Sequence, residues 1–340
     1  MTTFVTIKTT GDSDYFDFAT FIASHVHLTD VTHSSTFLKV PADQNRSATF
    51  FGTDFHFSNG FPDGGTVKSI VQKEGAHVYA TITGLDIPIA QAANAFLTGD
   101  VQALINLLGD MRVTGNIGDD TLVSGNGDDT FVGGKGADFM GGTNGTDTVD
   151  YSAASSRVVA NLATGGTIGD AKGDTYGSIE VLKGSKFADQ LTGNTKINTL
   201  IGNDGNDVLK GGAGRDTLVG GAGADKITGG GAHDVLTGGL GGDQFIYNKL
   251  NEGGDEVTTF DSKDTIQIKM SAIGVEAGDI LNFVASTSPA ANNNAPVFLY
   301  DTDDKTLVFD SNGSDAGGRH AILTISGGGA IHGFDDIILF

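Results

Sequence analysis

The sequence predicts an all-β chain: a right-handed parallel β-roll, preceded by a small N-terminal β+α domain and followed by a β-rich C-terminal cap. Three observations predict it. A nine-residue unit recurs in two uninterrupted arrays. Within the unit the sixth residue is almost always aspartate and the eighth is always apolar. The composition matches, with 52 glycines and, since glutamate occurs only at Glu74, Glu180, Glu252, Glu256 and Glu276, 42 − 5 = 37 aspartates. A fixed internal period signals a solenoid, whose units bury a core only by stacking on their neighbours.

Residues 1–112 carry no repeat. TFVTIKTT, HVHLTDV, ATFFGTDFHF, GTVKSIVQ and HVYATITG alternate with a period near two, which predicts a small β-domain. DIPIAQAANAFLTGDVQALINLLGD then predicts two short helices. The first has Asp86 as N-cap, Pro88 in its first turn, a stripe of Ile89, Ala92 and Phe96, and Gly99 as its stop. The second runs from Asp100 through Val101, Leu104, Ile105 and Leu108 to Gly109.

The first array, within residues 113–150, reads GNIGDDTLV, SGNGDDTFV, GGKGADFMG, GTNGTDTVD. The second, within 184–247, reads GSKFADQLT, GNTKINTLI, GNDGNDVLK, GGAGRDTLV, GGAGADKIT, GGGAHDVLT, GGLGGDQFI. Position six is Asp120, Asp129, Asp138 and Asp147, then Asp189, Asn198, Asp207, Asp216, Asp225, Asp234 and Asp243. Position eight is Leu122, Phe131, Met140, Val149, Leu191, Leu200, Leu209, Leu218, Ile227, Leu236 and Phe245. A six-residue glycine-rich turn followed by a three-residue strand with one inward side chain makes half a coil. Two units close the coil, and equivalent turns 18 residues apart stack. Residues 151–183 separate the two arrays.

Stacked aspartate turns suit calcium, a hard cation that takes six to eight oxygen ligands. An ion between two turns takes a carboxylate from each and fills its shell with carbonyls that glycine allows to point inward. The first array offers Asp120 with Asp138 and Asp129 with Asp147. The second offers 189/207, 198/216, 207/225, 216/234 and 225/243, about seven candidate Ca2+ sites in all, with the Asn198 pair weakest because one ligand is neutral. Residues 115–246 hold 16 aspartates and Glu180 against nine basic residues, a net of −8. Such a column repels itself without metal, so binding is expected to be coupled to folding.

The formal charge of −22 disfavours nucleic-acid backbones and anionic membrane surfaces as partners. No apolar run approaches 18 residues, so no transmembrane segment is expected. There is no cysteine, and the opening MTTFVTIKTTGDSDY lacks the pattern of a cleaved secretory signal.

The repeats match GGxGxDxUx, and GGAGRDTLVGGAGAD above all resembles the RTX family of calcium-binding proteins. The resemblance implies that residues 151–183 continue the roll as a linker, with Asp174, Glu180 and Asp189 as further ligands there. GGDEVTTFDSKDTIQI resembles the family's closing motif, but Thr259 stands where aspartate is usual, which puts a terminal site at Asp255, Asp261 or Asp264 in doubt. Residues 248–340 form the cap, with strands expected in DTIQIKM, DILNFVAS, PVFLYD, TLVFD, AILTIS and DIILF. FLYDTDDKTLVFDSNGSDAGG and the DIILF segment resemble the C-terminal region of RTX proteins that leave the cell by type I secretion machinery. The family thus implies a secreted, extracellular protein that folds on meeting calcium outside the cell.

A non-enzymatic protein is expected. HExxH, needed by a zinc protease of the serralysin type, is absent, as is the GxSxG nucleophile elbow of lipases. His25 and His27 share one face of an alternating segment, a spacing able to hold zinc or copper, but a polar strand face opposite Val26 and Leu28 accounts for them. The function read from the sequence is calcium binding with an adhesion or interaction role toward a cell-surface or polysaccharide partner. The alternatives are a small glycan-active enzyme and a bacteriocin-like toxin, each with its active part in residues 1–112.

Overall fold

The computed structural model describes residues 3–7, 32–33, 37–41, 46–58, 61–74, 77–88, 109–115, 117–276, 282–287, 289, 296–312 and 318–340. The chain divides into two units, residues 1–150 with 170–179, and residues 151–169 with 180–340. The segment expected to link the arrays is therefore shared between them.

In the first unit Arg46–Ser58, Phe61–Glu74 and His77–Pro88 pair antiparallel in chain order, and Phe37–Pro41 lies beside the first of them. ATFFGTDFHF, GTVKSIVQ and HVYATITG fall within these strands, as their alternation predicts. Asp86 and Pro88, expected to open a helix, instead end a strand. Pairing of Ile87 with Val67 and of Pro88 with Thr66 claims the residues that local sequence offered to a helix start. Residues 89–108, with the rest of the two expected helices, and His25 and His27 lie outside the described residues. Thr3–Ile7 pairs antiparallel with residues 80–83 and parallel with Met111–Thr114, where the roll begins.

Met111–Thr114, Thr130–Val132 and Thr148–Asp150 stack in parallel on one face of the first roll. Thr121–Val123, Phe139–Gly141 and Thr175–Gly177 stack on the other. Leu122, Phe131, Met140 and Val149 point between the faces and are fully buried. Each such side chain contributes about 1.5–3 kcal/mol by leaving water, a thin core for a coil of 18 residues.

The second unit repeats this plan. One face carries Val159–Asn161, Gln190–Thr192, Val208–Ala213, Lys226–Gly231, Gln244–Tyr247, Thr265–Ile268 and Ile337–Leu339 in that order. The other carries Val181–Lys183, Thr199–Asp204, Thr217–Ala222, Val235–Leu240, Asp255–Thr259 and Arg319–Ile325. Leu191, Leu200, Leu209, Leu218, Ile227 and Phe245 fill the interior at 0% exposure. From Val181 onward the register is 18 residues until Val235, which pairs with Glu256, so the following coil is three residues longer. A 3-10 turn at Leu250–Glu252 takes up the extra length.

The cap is β, as expected. Asn282–Ser286, Val297–Asp301, Thr306–Asp310 and Arg319–Ile325 are consecutive neighbours, and Phe298 and Phe309 pack with ring centroids 5.0 Å apart. The DIILF segment supplies the strand Ile337–Leu339, which stacks on Thr265–Ile268 and extends that face of the roll.

Candidate metal centre

Each turn of the roll needs a partner for the backbone N–H of its sixth residue, because that N–H lies inside the stack and cannot reach water. The aspartate of the next stacked turn supplies it. Oδ1 of Asp207 accepts from Asp189 at 2.7 Å, Asp216 from Asn198 at 2.8 Å, Asp225 from Asp207 at 2.8 Å, Asp234 from Asp216 at 2.8 Å and Asp243 from Asp225 at 2.9 Å. The first unit does the same, with Asp138 accepting from Asp120 at 2.8 Å and Asp147 from Asp129 at 3.1 Å. Asp174 takes the N–H of Asp138 at 2.8 Å, which puts a linker residue into the column. Glu180 is half-buried, and its carbonyl accepts the Thr199 N–H in the strand ladder.

The second carboxylate oxygen has a different environment. Oδ2 of Asp129, Asp138, Asp207, Asp216, Asp225, Asp234 and Asp243 is buried with no hydrogen-bond partner. Close against the α-carbon of each of Gly202, Gly211 and Gly220 lie the Oδ2 of its own turn, Asp207, Asp216 or Asp225, and a carbonyl of the next turn. A methyl group there would come to 2.5 Å from the Gly220 carbonyl, 2.5 Å from that of Gly229 and 2.6 Å from that of Gly238, respectively. The space between these two oxygens is closed to a side chain.

Burial pushes these carboxylates up, Asp129, Asp138 and Asp207 to about 7 and Asp216 to about 6, while the N–H bonds pull back. Asp189, Asp225, Asp234 and Asp243 are raised for the same first cause. Buried, partnerless oxygens of raised basicity, with carbonyls beside them, are the donor set of a hard dication. Among the described residues no three His, Asp or Glu side chains converge on a point. Backbone oxygens must therefore complete any coordination shell. The residues fit calcium, which when bound would supply the positive charge that the stacked carboxylates lack.

Two extensions lie outside position six of the nonapeptide frame, the first at aspartates that the closing motif named and Thr259 put in doubt. Asp255 and Asp264 continue the column, accepting the N–H groups of Asp234 at 2.9 Å and Asp243 at 2.8 Å across 21 residues rather than 18. The three-residue insertion hid them from the nonapeptide frame. An exposed ladder also runs beside the first array, where Asp110, Asp119 and Asp128 accept the N–H groups of Asp128, Ala137 and Thr146. The aspartates at position five signalled it. Outside the column, Arg215, His233, Asp234 and Glu256 line an open depression. His233 Nδ1 lies 2.6 Å from the Gly254 carbonyl, so this ring has a protein partner.

A right-handed stack of glycine turns around a buried carboxylate column defines a calcium-binding β-roll. Residues 114–149, 183–218 and 210–245 match the model of the RTX calcium-binding nonapeptide repeat, in four copies. Both arrays therefore consist of RTX calcium-binding repeats. No curated protein sequence matches the chain. Among solved structures it is similar to the extracellular lipase LipA from Serratia marcescens, at 20% identity over 68% of this chain and 38% of that one, with a TM-score of 0.21. The chain thus spans little more than a third of that protein's length, and a likeness so loose says nothing about activity.

Proposed function

We propose that this protein is exported unfolded by type I secretion machinery and folds outside the cell on binding calcium, where it serves as a non-enzymatic adhesion or interaction module. The buried, partnerless Oδ2 atoms of the column support the calcium-coupled step. Each is a charge that folding without metal must either neutralise or leave uncompensated. Millimolar calcium outside a cell suits weak extracellular sites with dissociation constants of about 10⁻⁴ to 10⁻³ M, whereas the cytosol leaves them empty. Among the described residues no helix is long and apolar enough to cross a membrane. The chain carries neither HExxH nor GxSxG, which favours binding over hydrolysis.

Circular dichroism of the full chain during a calcium titration tests the folding step: β structure should grow with calcium and be lost in excess chelator. Native-like spectra in chelator would overturn it. Export is tested by comparing the chain with and without residues 281–340 in cells that carry a type I exporter. Binding of the calcium-loaded protein to cell surfaces or immobilised polysaccharides tests the interaction role. Killing of related cells, or turnover of a glycan, would replace that role with a toxin or an enzyme.

A further inference from the structure

The second array is not uniform. In the turns ending at Asp207, Asp216, Asp225, Asp234 and Asp243, the second residue has positive φ: Asn203 at 78°, Gly212 at 120°, Gly221 at 117°, Gly230 at 110° and Gly239 at 112°. The turns ending at Asp189 and Asn198 carry Ser185 and Asn194 at this place, and neither has positive φ. The left-handed region is cheap for glycine, tolerated by asparagine and costly for serine, which accounts for Ser185, whereas Asn194 and Asn203 are the same residue in two backbone states, so stacking context decides between them.

Its consequence is in the hydrogen bonds. The Ser185 N–H donates to Asp189 Oδ2 at 2.5 Å, and the Ser185 hydroxyl lies 2.9 Å from both carboxylate oxygens. Oδ1 of Asp189 also accepts from the Val158 N–H at 2.6 Å. Both oxygens of Asp189 are thus committed to protein donors. Asn194 closes the next turn in the same way, its N–H reaching Asn198 Oδ1 at 2.7 Å, while Asn198 Nδ2 presents buried donors without an acceptor. In the five other turns Oδ2 has no partner. Strand length changes at the same place. Val181–Lys183 and Gln190–Thr192 have three residues each, whereas Thr199–Asp204, Val208–Ala213, Thr217–Ala222, Lys226–Gly231 and Val235–Leu240 have six. The longer strands take in the position-two residue, and pairs such as Asn203 with Gly221 and Gly212 with Gly230 hold its backbone in the ladder.

We infer that the second array takes calcium only from Asp207 onward, and that the turns ending at Asp189 and Asn198 are metal-free, closed by Ser185 and Asn194. The candidate pairs 189/207 and 198/216 then drop out, and 207/225, 216/234 and 225/243 remain. Neutrality of Asn198 is not what closes its turn, because Asp189 is an aspartate and is closed as well. The common cause is the backbone at position two, which turns its N–H onto the ligand oxygen. This inference rests on the reading of the arrays as calcium sites.

Equilibrium dialysis of the full chain, with bound calcium counted per chain, tests it with four variants. Asp225→Asn should lose at least one ion. Asp189→Asn should lose none, and Asn198→Asp should gain none although it restores the consensus carboxylate. Adding Asn194→Gly to Asn198→Asp should open the turn and add an ion. Loss of an ion in Asp189→Asn, or a gain in Asn198→Asp alone, would overturn the inference while leaving the calcium reading intact. If Asp189→Asn does not fold, Asn198→Asp still decides, since it adds an acceptor and removes none. An unaltered chain that binds no calcium would fail the parent reading itself.

Discussion

Oδ1 of Asp225 accepts the backbone N–H of Asp207 at 2.8 Å, while Oδ2 of the same carboxylate is buried with no hydrogen-bond partner. One side chain thus does two things. It ties a turn to the turn stacked on it, and it offers a charge that protein donors leave unanswered. The first makes the column rigid, and the second makes it depend on a cation.

Replacing Asp225 with asparagine keeps an oxygen for the Asp207 N–H but removes the charge. The expected result is a calcium-dependent folding midpoint raised about tenfold, equivalent to about 1.4 kcal/mol. Circular dichroism against calcium concentration measures it, and an unchanged midpoint would remove Asp225 from the site.

Gly220→Ala separates the space from the charge. The added methyl would lie against Asp225 Oδ2 and 2.6 Å from the Gly238 carbonyl, where oxygens converge. Gly220 is not among the residues with positive φ, so backbone strain is not the cause. Loss of at least one bound ion per chain is expected. Full calcium content in the alanine variant would show that the space is not the binding position.

Metal-free stability should fall as pH rises. The folded-state pKa values of Asp129, Asp138 and Asp207 are raised from 3.8 to about 7, chiefly by burial. Between about pH 4 and pH 7 the folded chain therefore holds protons that the unfolded chain has released. That contribution is fully present below the unfolded pKa and is lost as pH passes through the folded values. In chelator, the chain should retain more β structure by circular dichroism at pH 5 than at pH 7.5. With calcium the order should reverse, because ion and proton compete for the same oxygens. Equal β content at the two pH values without metal would contradict the burial of these groups.

Leu218→Ala addresses the core. Leu218 is fully buried, with Leu200 and Leu236 paired to it on the neighbouring strands of its face. With one inward residue per unit the roll has little to collapse into the gap, so about 2–5 kcal/mol of stability should be lost. Calcium-loaded protein should show this as a lower urea midpoint. A change below about 1 kcal/mol would mean that the core carries less of the fold than the metal does.

The sequence by itself determined the roll, the residues that point inward and the carboxylates that stack, because period nine with aspartate at six and an apolar residue at eight has one stacked solution. It also located the capping strands, down to Ile337–Leu339 in the DIILF segment. Tertiary structure alone decided three things. Cross-strand pairing with Val67 and Thr66 made Ile87 and Pro88 part of a strand, against the local signal for a helix start. The three-residue insertion around Leu250–Glu252 left Asp255 and Asp264 in the column even though they fall out of the repeat frame, because stacking follows space and tolerates a longer loop. In the second array, the carboxylates that stay open are those whose turn has positive φ at its second residue. Asp189 and Asp207 occupy the same position of the repeat, yet the backbone at Ser185 turns its N–H onto one carboxylate, and the left-handed backbone at Asn203 leaves the other with a bare oxygen.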